Sequence, residues 1–155
     1  MPDLYIEVTN TSSDVWTIPT GMWVCGAGDD PHVNWTDRVT EAPSPSLSGQ
    51  YSQTVASAET EHLGSIVDDA LYMTLGYKSE TTSDTFALSI MRRFHMIGIG
   101  KGDVWRTWEN NEWSAWTENT GPKTWQFNTY TVTATPVLSN SSASVQVVIS
   151  PTTGS

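Results

Sequence analysis

Apolar residues in this chain come in short alternating runs separated by polar turn clusters, and no run keeps a helical period for long. That pattern restricts the chain to a fold of many short strands. Leu4, Ile6 and Val8 alternate with Tyr5, Glu7 and Thr9, as in a strand with one buried face. Asn10 to Asp14 is a turn cluster. Val15 to Ile18 resumes strand character until Pro19-Thr20-Gly21 breaks it. Met22 to Cys25 reads as a short apolar strand, and residues 26–49 as a long acidic loop containing Pro43, Pro45 and Gly49. Gln50 to Ser57 is a polar alternating strand, Ala70 to Tyr77 a strong strand, and Thr85 to Met91 alternates again. Arg93 to Ile99 continues that strand or pairs with it. Thr124 to Thr135 and Ala143 to Ile149 read as a last hairpin. Its first strand sets Trp125, Phe127, Thr129 and Thr131 against Gln126, Asn128, Tyr130 and Val132. Residues 151–155 are left as a flexible tail. At most a helical turn or two is expected near residues 57–70. The expectation is one all-β domain over residues 1–155, an antiparallel β-sandwich with little helix and about eight to eleven strands.

The segment from Trp105 to Trp116 reads nearly the same in both directions: Trp-Arg-Thr-Trp-Glu-Asn-Asn-Glu-Trp-Ser-Ala-Trp. Folded about Asn110-Asn111, it sets Trp108 opposite Trp113 and Trp105 opposite Trp116. Asn tolerates the positive φ that a two-residue hairpin turn needs, and opposed aromatics make good cross-strand pairs. The hairpin then carries two Trp pairs on opposite faces. An antiparallel sheet usually buries one face, so one pair is left near water, and at least two of the four indoles are expected to be substantially exposed. A helix would gather the same four indoles within an arc of about 140°. The Glu-Asn-Asn-Glu centre and the strand preference of Trp favour the hairpin. Of the other tryptophans, Trp16 and Trp23 are expected in the core, with Trp125 open.

Charge excludes several partners. The chain has 17 acids against 7 bases, a net charge of −10. Nucleic acid is excluded, because its binding depends on neutralising phosphates with Lys and Arg. Strong attraction to anionic lipid is disfavoured for the same reason. The charge is uneven: residues 1–77 hold eleven acids and one base, Arg38, and residues 124–155 hold no charged side chain. The other six bases lie in residues 78–123, beside the Trp segment. The N-terminus lacks the pattern of a signal peptide, and no stretch has the length of a membrane span. Synthesis in the cytoplasm is expected, with later release open. The single cysteine, Cys25, lies in an apolar run and reads as a buried thiol. Asn10, Asn34 and Asn140 begin glycosylation-like triplets, which are read as chance in a chain this rich in Ser and Thr.

Little here points to reaction chemistry. His32, His62 and His95 lack metal-ligand spacing. Asp29-Asp30 and Asp68-Asp69 lack the oxygen-ligand spacing of a calcium loop. Ile97 to Asp103 has neither the Ser or Thr nor the helix of a phosphate loop, and reads as a Gly-rich strand end. A hydrolase would need two of the seventeen acids as a carboxylate pair, and the sequence selects none. No cofactor and no metal are expected. The aromatics remain. Indole combines an apolar body with one N–H donor, which suits a membrane interface. Its face also stacks on the C–H face of a sugar or attracts a quaternary ammonium. A protein whose Trp all lie in the core, with an inhibitor or storage role, is the plain alternative.

Ile6 to Thr17, a strand ending in Asn, a small polar turn and an aromatic-bearing strand, resembles the first hairpin of the cytolysin/lectin-like β-sandwich group. This group includes aegerolysins, actinoporins and fungal fruit-body lectins. Met22 to Gly26 is similar to the next, small-residue strand of that group, Ala70 to Tyr77 and Thr85 to Ile90 to the central paired strands, and Ser142 to Ser150 to the closing strand. The resemblance implies a non-enzymatic protein that recognises a membrane lipid headgroup or, as a lectin, a glycan. By chain position, the recognition surface it implies is Tyr77, Trp105, Trp108, Trp113 and Trp116, with Arg92, Arg93, Lys101 and Arg106 available for phosphate. Some members act as toxins or in defence by forming pores. The expected first strand begins near Leu4, which leaves no counterpart to the amphipathic N-terminal segment of actinoporins. The implied style is therefore lipid recognition, with pore formation left to a homo-oligomer or a protein partner. The acidic stretch 26–49 has no counterpart in the group.

Overall fold

The computed structural model describes residues 4–27, 38–59, 70–93, 103–139 and 142–152. They form two sheets packed face to face. The first sheet contains β1 (Leu4–Asn10), β4 (Val39–Glu41), β6 (Ser52–Ala58), β11 (Lys123–Gln126), β12 (Tyr130–Leu138) and β13 (Ala143–Pro151). Its order is β11-β12-β13-β1-β6-β4. The second contains β2 (Trp16–Thr17), β3 (Trp23–Ala27), β5 (Ser46–Leu47), β7 (Ala70–Ser79), β8 (Thr85–Arg93), β9 (Val104–Glu109) and β10 (Glu112–Trp113). Its order is β10-β9-β8-β7-β2-β5, and β3 also pairs with β7. The expected antiparallel β-sandwich is the fold. One pairing is parallel: β1 lies beside β13 with Leu4 opposite Ala143 and Asn10 opposite Ile149.

Alternation explains the core. Leu4, Ile6 and Val8 of β1 and Val145, Val147 and Ile149 of β13 turn inward. They meet Leu71, Met73, Leu75 and Tyr77 of β7 and Phe86, Leu88 and Ile90 of β8. Phe86 stands at an aromatic hub, 5.8 Å from Trp16, 5.5 Å from Trp125 and 6.4 Å from Tyr77 between ring centroids. Trp16 also meets Tyr130 edge to face at 5.3 Å, a favourable aromatic geometry. Trp16 is in the core as expected, Trp23 packs against it half-buried, and Trp125 joins it fully buried. Cys25 is buried.

Three expectations are corrected. The stretch 26–49 is not one loop: β4 pairs with β6 and β5 with β2, while residues 28–37 lie outside the described residues. Thr124 to Thr135 is not one strand. The chain reverses at Asn128-Thr129, where the Phe127 N–H donates to the Tyr130 carbonyl at 2.9 Å. Trp125 therefore faces Val132 across the β11–β12 pair, and Trp125, Tyr130 and Val132 are all buried rather than on opposite faces. Period 2 fails across a turn, because the reversal resets which face the next residue meets. β13 also runs on through Pro151, so the supposed tail begins inside a strand. Pro136 fits within β12 because the β11 pairing ends at Ala134, leaving no ladder donor to lose on that side.

The polar start of the chain binds the two sheets together. Asn10 is fully buried; its amide donates to the Asp14 and Ser48 carbonyls, both at 2.9 Å. That burial also closes Asn10 to glycosylation. Asp14, on the turn after β1, accepts from Ser79 of β7, from Thr81 at 2.7 Å, from Tyr130 of β12 at 2.9 Å and from the Val15 N–H at 2.8 Å. One carboxylate thus holds the end of β7 in one sheet and the start of β12 in the other.

Candidate functional site

The expected hairpin forms. Trp108 is the register partner of Trp113, and Glu109 of Glu112. Asn110 and Asn111 have φ of 55° and 63°, the two positive values a type I′ turn requires. The pairing then departs from the palindrome. Ser114 donates its N–H to the Thr107 carbonyl at 2.8 Å, while its hydroxyl accepts the Thr107 N–H at 3.0 Å. The next bridge joins Trp105 to Thr117, not to Trp116. One extra residue has entered the β10 side, a bulge, and it rotates Trp116 onto the same face as Trp113.

The four indoles therefore divide three to one. Trp105 aligns with Ile90 and is buried between the sheets, its Nε1–H donating to the Asn119 carbonyl at 2.7 Å. Trp108 aligns with Ala87 on the outer face of the second sheet, where Trp113 and Trp116 join it. The expectation of two pairs on opposite faces is corrected to one inner and three outer rings. The expectation of two substantially exposed indoles is also corrected: Trp108, Trp113 and Trp116 are all partly buried. Arg106 covers two of them, and Trp116 also packs on Tyr72, Met91 and Val104. The Arg106 guanidinium carbon lies 4.4 Å from the Trp113 ring centroid and 4.4 Å from that of Trp116, so each indole covers, and is covered by, the cation. Burial lowers the Arg106 pKa from its usual value.

The remaining residues of the implied surface scatter. Tyr77 is fully buried, donates to the Ser44 carbonyl at 2.7 Å and is pushed by burial to about 12; it belongs to the core. Arg92 aligns with the core residue Leu71, so it leaves the sheet on the face opposite Arg106. Of Arg93 only the backbone pairing with Ala70 is described. Lys101 lies outside the described residues, as do His32, His62, His95, both paired-Asp motifs and Ile97 to Gly102. Among the described residues, no group of three or more His, Cys, Asp or Glu is placed to hold a metal ion.

Beside the hairpin tip the structure opens a shallow groove of about 340 Å³. Trp108 forms one wall with Glu109, Asn110 and Asn111 of the turn. Ser83, Asp84 and Thr85, where β7 turns into β8, form another. Gln126 and Phe127, from the end of β11, close it. Local bonds fix each wall. Trp125 donates its Nε1–H to the Trp108 carbonyl at 3.0 Å, tying β9 to β11. Lys123 pairs with Glu109 at 2.8 Å. Thr82 donates to the Asp84 carboxylate at 2.8 Å, and Ser83 holds a positive φ of 65°. The groove thus gathers two aromatic residues with two carboxylates, three side-chain amides and two hydroxyls.

Sequence reasoning found Trp108 and the Asn-Asn turn but missed the other walls. Thr85 reads as the start of a strand and Gln126 and Phe127 as the inside of one; only the sheet order brings them to the hairpin. A scan against protein-family models finds none that matches this chain, and a search of curated proteins finds no match either.

Proposed function

We propose that this protein is a non-enzymatic carbohydrate-binding β-sandwich that takes its ligand in the groove beside the β9–β10 turn. The observation that carries this reading is the composition of the groove: Trp108 and Phe127 beside Asp84, Asn110, Asn111 and Gln126. A sugar presents an apolar C–H face and a rim of hydroxyls. An indole face suits the first, and planar carboxylate and amide groups, which accept and donate in fixed directions, suit the second. Concave sites with a few placed polar groups are the usual form of small-ligand recognition. The lectin branch of the resembled sandwich group supports the same assignment. A shallow groove contacting a single sugar ring supplies about 4 kcal/mol, a Kd on the order of 1 mM; avidity on a multivalent surface raises it. The test is a glycan array followed by calorimetric titration. Trp108→Ala is expected to weaken binding at least about tenfold, with thermal melting checking that the variant folds. Absence of binding to every saccharide overturns the reading.

A second reading, recognition of a zwitterionic lipid headgroup, is favoured by Trp113 and Trp116 flanking Arg106 on one outer face. Two indoles transferred into a bilayer interface contribute about 2 kcal/mol each. Arg106 already occupies their faces, which leaves less surface for a choline group, so the reading ranks second. Any cytolysin-like, toxin or defence activity would depend on this reading, through a homo-oligomer or a partner protein. Co-sedimentation with liposomes, with and without sphingolipid and sterol, tests it; no pelleting with any mixture retires it.

A further inference from the structure

We propose that Arg106 is an anion subsite beside the groove, and that the saccharide recognised is acidic: one ring lies against Trp108 while a carboxylate on the neighbouring ring pairs with the Arg106 guanidinium. The inference rests on the carbohydrate reading and names the class of glycan.

Arg106 and Trp108 are two residues apart on β9, aligned with Ser89 and Ala87 of β8. Residues at that spacing share a face and stand about 7 Å apart. Trp113 links them, as register partner of Trp108 and as one jaw on Arg106. The Trp108 and Arg106 side chains therefore share the outer face, and the groove borders Trp108.

Among the described residues Arg106 is a cation without an anion. In a chain of 17 acids and 7 bases, a guanidinium has carboxylates to spare, and Lys123 takes one in Glu109 at 2.8 Å. Arg106 makes no ion pair or hydrogen bond among the described residues, and its Nε is buried with no acceptor. A desolvated donor without a partner is costly. Stacking on Trp113 and Trp116 compensates the charge but not the N–H groups, which lie in the guanidinium plane, at right angles to the direction of stacking. What remains on offer is the Nη end of a planar fork whose Nε is already buried, and that end matches a carboxylate with two parallel hydrogen bonds. Holding it between two rings removes the side-chain entropy that binding would otherwise cost. Asp84 in the groove repels a second negative group there, so the acid is directed to Arg106 and the neutral ring to Trp108.

The test is calorimetric titration of the full chain with matched pairs of probes: lactose against sialyllactose, and cellobiose against its uronic acid counterpart. In at least one pair the acidic member is expected to bind about tenfold tighter, with the difference shrinking as salt is raised. Arg106→Gln is expected to bring the acidic member down to the affinity of its neutral partner. Arg106→Lys, which keeps the charge between the rings but loses the fork, should recover only part of the preference; it serves also if the Gln variant proves unstable. Neutral and acidic members binding alike overturns the inference and leaves the carbohydrate reading standing. So does an Arg106→Gln variant that weakens both members equally, as a purely structural clamp would. Binding of phosphate-bearing vesicles with no response to acidic saccharides overturns it in favour of the lipid. No binding to any saccharide overturns both the inference and the reading beneath it.

Discussion

Asp14 shows how much of this fold one side chain can hold. Burial works to raise its pKa, but hydrogen bonds from Ser79, Thr81, Tyr130 and the Val15 N–H outweigh that and bring it to about 2, below the usual 3.8. The carboxylate is therefore worth more to the folded state than to the unfolded one. Asp14→Asn keeps the shape but loses the charge, and its amide nitrogen turns a donor toward hydroxyls that now donate. We expect it to lower stability by about 2–4 kcal/mol, measured by urea denaturation. Nothing in the sequence distinguished Asp14 from its neighbours in Asn10 to Asp14, which read as a polar turn. Its partners Ser79 and Tyr130 lie 65 and 116 residues away, and only the closed sandwich brings them together.

The β9–β10 hairpin was legible because it is local. Two Asn residues at the centre of a palindrome of tryptophans set both the turn and the Trp108–Trp113 register. The path of the chain beyond Trp113 was not legible. The bulge depends on the Ser114 hydroxyl accepting the Thr107 N–H, which no alternation of polar and apolar residues records. With that one extra residue, Trp116 joins Trp113 around Arg106 instead of pairing with Trp105. The other walls of the groove were hidden for a different reason: Asp84 and Gln126 belong to elements that meet the hairpin only through sheet order. The turn itself makes a prediction. Replacing Asn110 and Asn111 together by Ala puts two Cβ-bearing residues without Asn's local hydrogen bonding into left-handed backbone, at a cost of about 2 kcal/mol. Asn111→Gly should hold or raise the melting temperature, since Asn-Gly is favoured in this turn. Near-UV circular dichroism should show the Trp108–Trp113 signal lost in the first variant and kept in the second.

Across the whole molecule, the same staple sets the pH range of stability. Asp14 is depressed to about 2 from 3.8, so its contribution is present above pH ~4 and is lost as pH falls from ~4 to ~2. Burial raises Tyr130 to about 12 from 10.0, helped by its bond to Asp14, and burial raises Tyr77 to about 12. Both phenols favour the folded state while neutral, so their contribution is present below pH ~10 and is lost as pH rises from ~10 to ~12. Denaturation across a pH series should show a plateau between these limits, and Asp14→Asn should flatten the acid limb. Within that plateau the molecule presents Trp108, Trp113 and Arg106 on one outer face, with the groove beside Trp108, while Trp16, Trp105 and Trp125 stay between the sheets. The most direct measurement of this account is the indole N–H region of the NMR spectrum during titration with a saccharide found on the array. The Trp108 and Trp113 resonances should move with ligand concentration while those of Trp16, Trp105 and Trp125 stay fixed. Fixed Trp108 and Trp113 resonances, with the ligand bound and signals moving elsewhere on the chain, would contradict it.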